Sequence, residues 1–295
     1  MGKGIVFAGQ GAQHPGMGMA LAEGSPAAAA VYREADRLLG WEVSSLCFRG
    51  TMEELTACAR CQPAIFVTSL AGYAALRERE PSQALPVALG GLSLGELSAL
   101  TVSGTVDFET GLRMVARRGE LMDQCCRARP GAMGAVVGCD EAVLEEACRE
   151  SGVWVANYNC PGQRIVSGEA ARVDRCLASL EGKAVKLQRL AVAGAFHSPM
   201  MEEAAQAFRE FLEKIPFQAP QIPLVHNVTG GWTEEAGLPL PELLARQISS
   251  PVRWEACAKA LMEKADSLEE VGPGRVLAGL MRRIQRNFPV QSMDL

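Results

Sequence analysis

The sequence predicts an α/β protein: a parallel sheet covered by helices on both faces, with a compact βαββαβ unit inserted into it. Two patterns predict this. A strand, a tight turn and a helix recur in that order along most of the chain, the rhythm of a parallel sheet. Between about Arg129 and Val192 the rhythm changes to strand, helix, two strands, helix and strand, the order of a ferredoxin-like unit. The large domain is therefore expected to be discontinuous, residues 1–128 and 193–295 flanking an insertion at 129–192. The 295 residues, 48% hydrophobic, suffice for such a core.

Gly4 to Ala8 is a short apolar strand, and helical periodicity follows through Ala20 and from Pro26 to Leu39. After Gln62-Pro63-Ala64 comes IFVTSLAGYAALRE, long enough for a buried helix. PVALG (86–90) reads as a buried strand and the segment from Glu96 as a helix. In the insertion, AMGAVVG, VWVANYN, RIVSG and AVKLQRL are strands, while EAVLEEACRE and EAARVDRCLASL are helices. The parallel pattern resumes with a strand at PLVHNV, a helix at PELLARQI, and LEEV followed by GPG and a final helix.

A net charge of −5 with no long basic run argues against nucleic acid and against a polybasic membrane anchor, leaving small molecules or proteins as partners. No apolar run is long enough to span a bilayer and no basic-then-apolar leader opens the chain, so a cytoplasmic protein is expected. Ten cysteines then read as reduced thiols. Cys58 and Cys61 form a C-x-x-C, but neither a second ligand pair nor a strand-to-helix entry accompanies it, so neither metal nor redox function is expected.

The loop GQGAQHPGMG (9–18) is not a phosphate cradle. A dinucleotide fingerprint needs glycine where His14 stands, and a P-loop needs Lys then Ser or Thr where Met17 and Gly18 stand. GLSLG (91–95) is a G-x-S-x-G between the strand PVALG and a helix, the setting of a nucleophile elbow, which makes Ser93 the candidate nucleophile. The alternative is a glycine-rich turn with a capping serine. A serine hydroxyl needs a base, and the chain has three histidines, His14, His197 and His226. His197 precedes Ser198 and Pro199, a cap and a first helical position, and so stands at a loop-to-helix junction. It is the candidate base, titrating near neutrality. Its far ring nitrogen needs only an acceptor, not necessarily a carboxylate. Oxyanion donors follow from the same logic: the N–H of Leu94, after the nucleophile, and that of Gln10 in the opening loop.

On the helix from Asp107 to about Gln124, Leu112, Val115, Gly119 and Met122 share one face. Arg118 sits at its edge, with Arg113 and Arg117 on the far side. A partly buried guanidinium wants a carboxylate, either a structural one or a ligand's, and spacing alone slightly favours the structural pair.

Taken in order, GQGAQ, GLSLGE, RRGELM, NYNCPGQRIVSGE, GAFHSPMM, RQISSPVRWE and VGPGRVLAGL resemble the malonyl-CoA:acyl carrier protein transacylases of fatty acid synthesis and the acyltransferase domains of polyketide synthases. The resemblance spans nearly the whole chain. It implies an α/β-hydrolase-like large domain with a ferredoxin-like insertion, and ping-pong transfer of malonyl from malonyl-CoA to the phosphopantetheine thiol of acyl carrier protein. No bound cofactor is implied, since coenzyme A comes with the substrate. It also implies Ser93 as the acylated residue, His197 as base with Gln247 orienting it through its backbone carbonyl, Gln10 and Leu94 as oxyanion donors, and Arg118 as the grip on the malonyl carboxylate. Many members have His before the nucleophile where this chain has Leu92, which touches only a secondary polar contact. Phe196 matches the form associated with unbranched malonyl. An acyl hydrolase and a catalytically idle carrier-protein docking module are the alternatives.

Overall fold

The opening apolar run forms strand β1 (Lys3–Phe7), and its alternation decides how the sheet is covered. Ile5 and Phe7 enter one buried cluster and Val6 another, so both faces of the strand are packed. The structure, a computed structural model, describes residues 2–82, 84–192 and 194–293.

Helices α1 (Met19–Gly24), α2 (Pro26–Leu39), α3 (Val43–Arg49) and α4 (Cys58–Arg79) follow. Ser25 caps α2 by accepting the Ala28 N–H at 3.1 Å. Helix α4 starts before Gln62-Pro63, where the sequence predicts its opening, because a carboxylate from another helix caps it. Asp123 accepts the N–H groups of Cys58 and Ala59 at 2.9 Å each. Strand β2 (Leu89–Gly91) then leads into α5 (Leu94–Val102) and α6 (Phe108–Ala128), the latter carrying Asp123.

The next segment forms β3 (Gly131–Val137), α7 (Glu141–Ser151), β4 (Trp154–Cys160), β5 (Gln163–Glu169), α8 (Ala170–Ser179) and β6 (Lys186–Arg189). Its strands make an antiparallel sheet of order β4-β5-β3-β6. One face packs Val136 and Val166 against Leu144 and Val173 of its helices. The other, through Met133, Ala156 and Ile165, joins the cluster around β1. The predicted boundary at 193 falls on a residue outside those described.

Helices α9 (Glu202–Leu212), α10 (Leu240–Ser249) and α11 (Trp254–Lys264), strand β7 (Ser267–Val271), helix α12 (Val276–Ile284) and strand β8 (Val290–Ser292) complete the chain. The other sheet is parallel throughout, in the order β2-β1-β7-β8. Three of these elements, α3, α11 and β8, have no counterpart among the predicted ones. The strand predicted at PLVHNV reduces to two isolated bridges, Leu224 beside Leu89 and Val225 beside Trp232, because the chain turns back at once: His226 N–H donates to the Gly231 carbonyl at 2.9 Å.

Where α5 meets the sheet, no side chain fits. A Cβ added at Gly95 would lie 2.1 Å from the Phe7 carbonyl oxygen. Gly95→Ala is therefore expected to destabilise the protein by about 3 kcal/mol or more, lowering Tm by several degrees. Gly279→Ala is the control: nothing lies within 4 Å of the added Cβ, and the change should be neutral or slightly stabilising. Thermal unfolding of both variants checks the seating of α5, and an unchanged Tm for Gly95→Ala contradicts it.

Candidate active site

Strand β2 delivers Ser93 to the end of the sheet, where it serves as the residue before α5 with φ 52° and ψ −102°. Such a conformation is costly for a residue with a Cβ and persists only when its surroundings hold it. Here the Ser93 N–H donates to Asn227 Oδ1 at 2.6 Å, and the Ser93 carbonyl accepts from Gln247 Nε2 at 3.0 Å. Among the described non-glycine residues only Ser93 and His197 have positive φ, and these two touch.

Ser93 Oγ lies 2.9 Å from His197 Nε2, while His197 Nδ1 lies 2.7 Å from the Gln247 backbone carbonyl. A carbonyl can only accept, so Nδ1 carries the proton and the Nε2 lone pair faces the hydroxyl. The loop holding His197 is pinned by its own N–H, which donates to the Ile248 carbonyl at 3.1 Å, and by Ser198 Oγ, which donates to the Ala195 carbonyl at 2.6 Å. Burial, followed by the nearby charge of Arg118, holds the imidazole down to about 4, well below the neutral titration expected from sequence.

Arg118 is 1% exposed, and no carboxylate among the described residues pairs with it. Its NH1 donates to Gln62 Oε1 at 2.8 Å; its NH2 donates to Gln247 Oε1 at 2.9 Å and to Ser93 Oγ at 3.0 Å; its Nε has no partner. The structural ion pair that spacing slightly favoured is not formed. Burial brings the guanidinium down to about 10, still cationic at neutral pH.

Gln10 and Leu94 come to the same end of the sheet because β1 and β2 run parallel with Phe7 opposite Gly91. Leu94 N–H opens α5 and has no intrahelical acceptor. The opening loop reaches the elbow through a glycine: a Cβ at Gly9 would sit 2.3 Å from the Leu92 carbonyl oxygen. The Gln10 side chain points to Cys58 Sγ at 3.5 Å. Leu92 packs into the apolar cluster around Val6, Cys257 and Leu261, so an apolar residue suits that position.

Of the other histidines, His14 lies in the opening loop, with Nδ1 near the Pro15 carbonyl, and His226 is wholly buried against Glu96. Neither reaches Ser93. Cys58 and Cys61 are buried free thiols in the first turns of α4, with no metal-binding cluster among the described residues. Sequence reasoning missed Gln62, Glu96 and Asn227, all buried and all bonded to the site. Gln62 alone left a signal, a polar residue heading an apolar helical run.

Residues 5–284 match the family described as an acyl transferase domain. The chain is 39% identical over 294 residues to a malonyl CoA-acyl carrier protein transacylase of Bacillus subtilis, covering 96% of this chain and 90% of that protein. The crystal structure of the MCAT from Streptococcus pneumoniae superposes with a TM-score of 0.91 at 35% identity, covering 99% of this chain and 95% of that one. A type II polyketide synthase acyl carrier protein in complex with its malonyl-transacylase gives the same score at 34% identity, covering 99% and 95%.

The depressed titration of His197 makes a pH prediction. If His197 is the base, its neutral imidazole is the active form, and the rate at which a fluorophosphonate modifies Ser93 should stay flat from neutrality to about pH 5 and fall near pH 4. A midpoint near 6.5 in the measured profile contradicts the buried environment described here. The same shift makes folded stability fall as pH drops from about 6.5 toward 4, since only the unfolded chain takes up the proton there.

Proposed function

The chain belongs to the acyl transferase domain family, and from that membership we infer that it is a malonyl-CoA:acyl carrier protein transacylase of fatty acid or polyketide synthesis. The observation that carries the substrate reading is the buried Arg118, a cation that no carboxylate among the described residues pairs with, one hydrogen bond from Ser93 Oγ.

We propose the following roles. Ser93 Oγ attacks the thioester carbonyl while His197 Nε2 takes its proton, and the N–H groups of Leu94 and Gln10 meet the charge that develops on the carbonyl oxygen. The C–S bond breaks, coenzyme A leaves with the proton from His197, and malonyl stays as an ester on Ser93. The phosphopantetheine thiol of acyl carrier protein then gives its proton to His197, attacks the ester and returns the hydroxyl to Ser93. One site serves both half-reactions, so the kinetics are ping-pong. The Gln247 carbonyl keeps His197 in the productive tautomer.

Arg118 grips the free carboxylate, and a malonyl unit is short enough to join the guanidinium to the nucleophile. Until a carboxylate competes for it, the NH2 group also holds the Ser93 hydroxyl. Phe196, buried beside His197, crowds the α-carbon and favours unbranched malonyl. We read the parallel-sheet body, 1–128 and 193–295, as hydrolase-like and the antiparallel unit, 129–192, as a ferredoxin-like insertion. The order β4-β5-β3-β6 supports that reading. The reaction needs no resident cofactor. Ten free thiols fit a reducing, cytoplasmic setting, and no described helix is long and apolar enough to cross a membrane.

Brief incubation with malonyl-CoA should add one malonyl mass to the protein, mapping to the peptide with Ser93. Ser93→Ala acylated at the wild-type rate would overturn the assignment. For the clamp, the decisive measurement is the ratio of malonyl to acetyl transfer. Arg118→Ala should weaken malonyl transfer by several kcal/mol at most and collapse the ratio, since an acetyl group leaves the buried guanidinium unpaired in the wild type. A parallel loss of both activities with a lowered Tm would mean a structural role only.

A further inference from the structure

Glu96 and His226 make a second buried pair beneath the nucleophile. His226 Nδ1 lies 2.7 Å from Glu96 Oε1, and both side chains are fully buried. The other carboxylate oxygen, Oε2, accepts from the Asn227 N–H at 3.0 Å and from Gln247 Nε2 at 2.6 Å. Gln247 is the residue whose carbonyl holds His197 and whose Oε1 holds Arg118. Glu96 is thus one side chain from Arg118 and is the obvious candidate to neutralise it.

The hydrogen-bond inventory argues otherwise. With the hydroxyl proton of Thr233 donated to the Leu224 carbonyl at 3.1 Å, that oxygen can only accept at 3.0 Å from His226 Nε2, which then carries a hydrogen. Nδ1 and Glu96 Oε1 then face each other across 2.7 Å, and one proton must lie between them. If it sits on nitrogen the pair is imidazolium and carboxylate; if on oxygen, imidazole and carboxylic acid. Both arrangements are neutral overall. The remaining titratable groups nearby are Cys257 on α11, whose thiol donates to the His226 carbonyl at 3.4 Å, and, beyond Gln247, Arg118 on α6 and His197.

We propose that Glu96 and His226 form a neutral, proton-sharing pair that positions Gln247 and, by occupying the Glu96 charge, leaves Arg118 uncompensated for a substrate carboxylate. His226 is then a specificity-determining positioning residue, acting through Glu96 and Gln247 without touching substrate. This rests on the reading of Arg118 as the carboxylate clamp.

The test is a charge cycle on the full chain, measuring malonyl and acetyl transfer. His226→Asn keeps a donor to Glu96 but removes the shared proton, leaving a bare carboxylate that pairs electrostatically with Arg118. The ratio of malonyl to acetyl transfer should fall about thirtyfold or more, through a raised KM for malonyl-CoA, as expected for a unit charge one side chain away at an effective dielectric of about 20. The double variant Glu96→Gln with His226→Asn is neutral again and should recover most of the ratio. A merely structural role predicts a double variant no better than the single, and that result overturns the proposal, as does an unaltered ratio in His226→Asn. Arg118→Ala, run alongside, separates the levels. A retained ratio there overturns the clamp and this inference with it, whereas a lost ratio there with an unaltered His226→Asn overturns this inference alone. If His226→Asn does not fold, nitrogen NMR of histidine-labelled wild-type protein decides: Nε2 of the buried ring should be protonated, and an unprotonated Nε2 overturns the proposal.

Discussion

The site is organised by one buried glutamine. Gln247 uses its carbonyl and both polar ends of its side chain: the carbonyl accepts from His197, Oε1 accepts from Arg118, and Nε2 donates to the Ser93 carbonyl and to Glu96. A hydrogen bond contributes about 0.5–1.5 kcal/mol net, more to a charged partner such as Arg118, and a buried polar group left unsatisfied costs about 1–3 kcal/mol, so the four contacts reinforce one another. Its position on α10 also explains how the loop carrying His197 is held: the residue after the glutamine, Ile248, accepts the His197 N–H and sets the loop's register against the helix.

A second constraint feeds the first. Close approach of α5 to β1 and β2, possible only because Gly91 and Gly95 lack side chains, forces the turn into which Ser93 is bent. Strain at Ser93 and at His197 is retained because each backbone is held at its N–H, and Ser93 at its carbonyl as well. The strain and the polar network therefore support one another. Local backbone cost at two residues is offset by hydrogen bonds contributed from α5, α10 and the Asn227 segment.

These couplings also mark how far the sequence could be read. Elements with a clear period and punctuation, such as β1, α2 and the six elements between Gly131 and Arg189, were visible because local residues cause them. The start of α4 was not, because its cap is Asp123 on α6, sixty-odd residues away. PLVHNV looked like a strand because apolar alternation cannot register a turn that closes three residues later. Ser93 and His197 announced themselves through elbow and junction chemistry. Gln247 was named only through resemblance, for nothing in RQISS marks a glutamine as a hub. Arg118 was found by its helical phase, while its charge state of affairs, three neutral acceptors and no carboxylate, is a property of packing alone.

On the proposed reading of Arg118, that packing places selectivity in one guanidinium. Burial brings this cation down to about 10, with Cys58 and Glu96 acting in the opposite direction, and its direct partners are amide and hydroxyl oxygens rather than a carboxylate. An incoming carboxylate therefore gains the full charge-assisted interaction without first displacing an internal anion. Ser93 Oγ competes for the same NH2 group, so an acyl donor without a carboxylate meets a hydroxyl already donated to by Arg118, with one lone pair engaged and its nucleophilicity reduced. A carboxylate that draws the guanidinium away releases that lone pair. On the proposed roles, binding and activation depend on the same event, which turns recognition at the far end of the substrate into a gain at the reacting carbon rather than a tighter ground state alone.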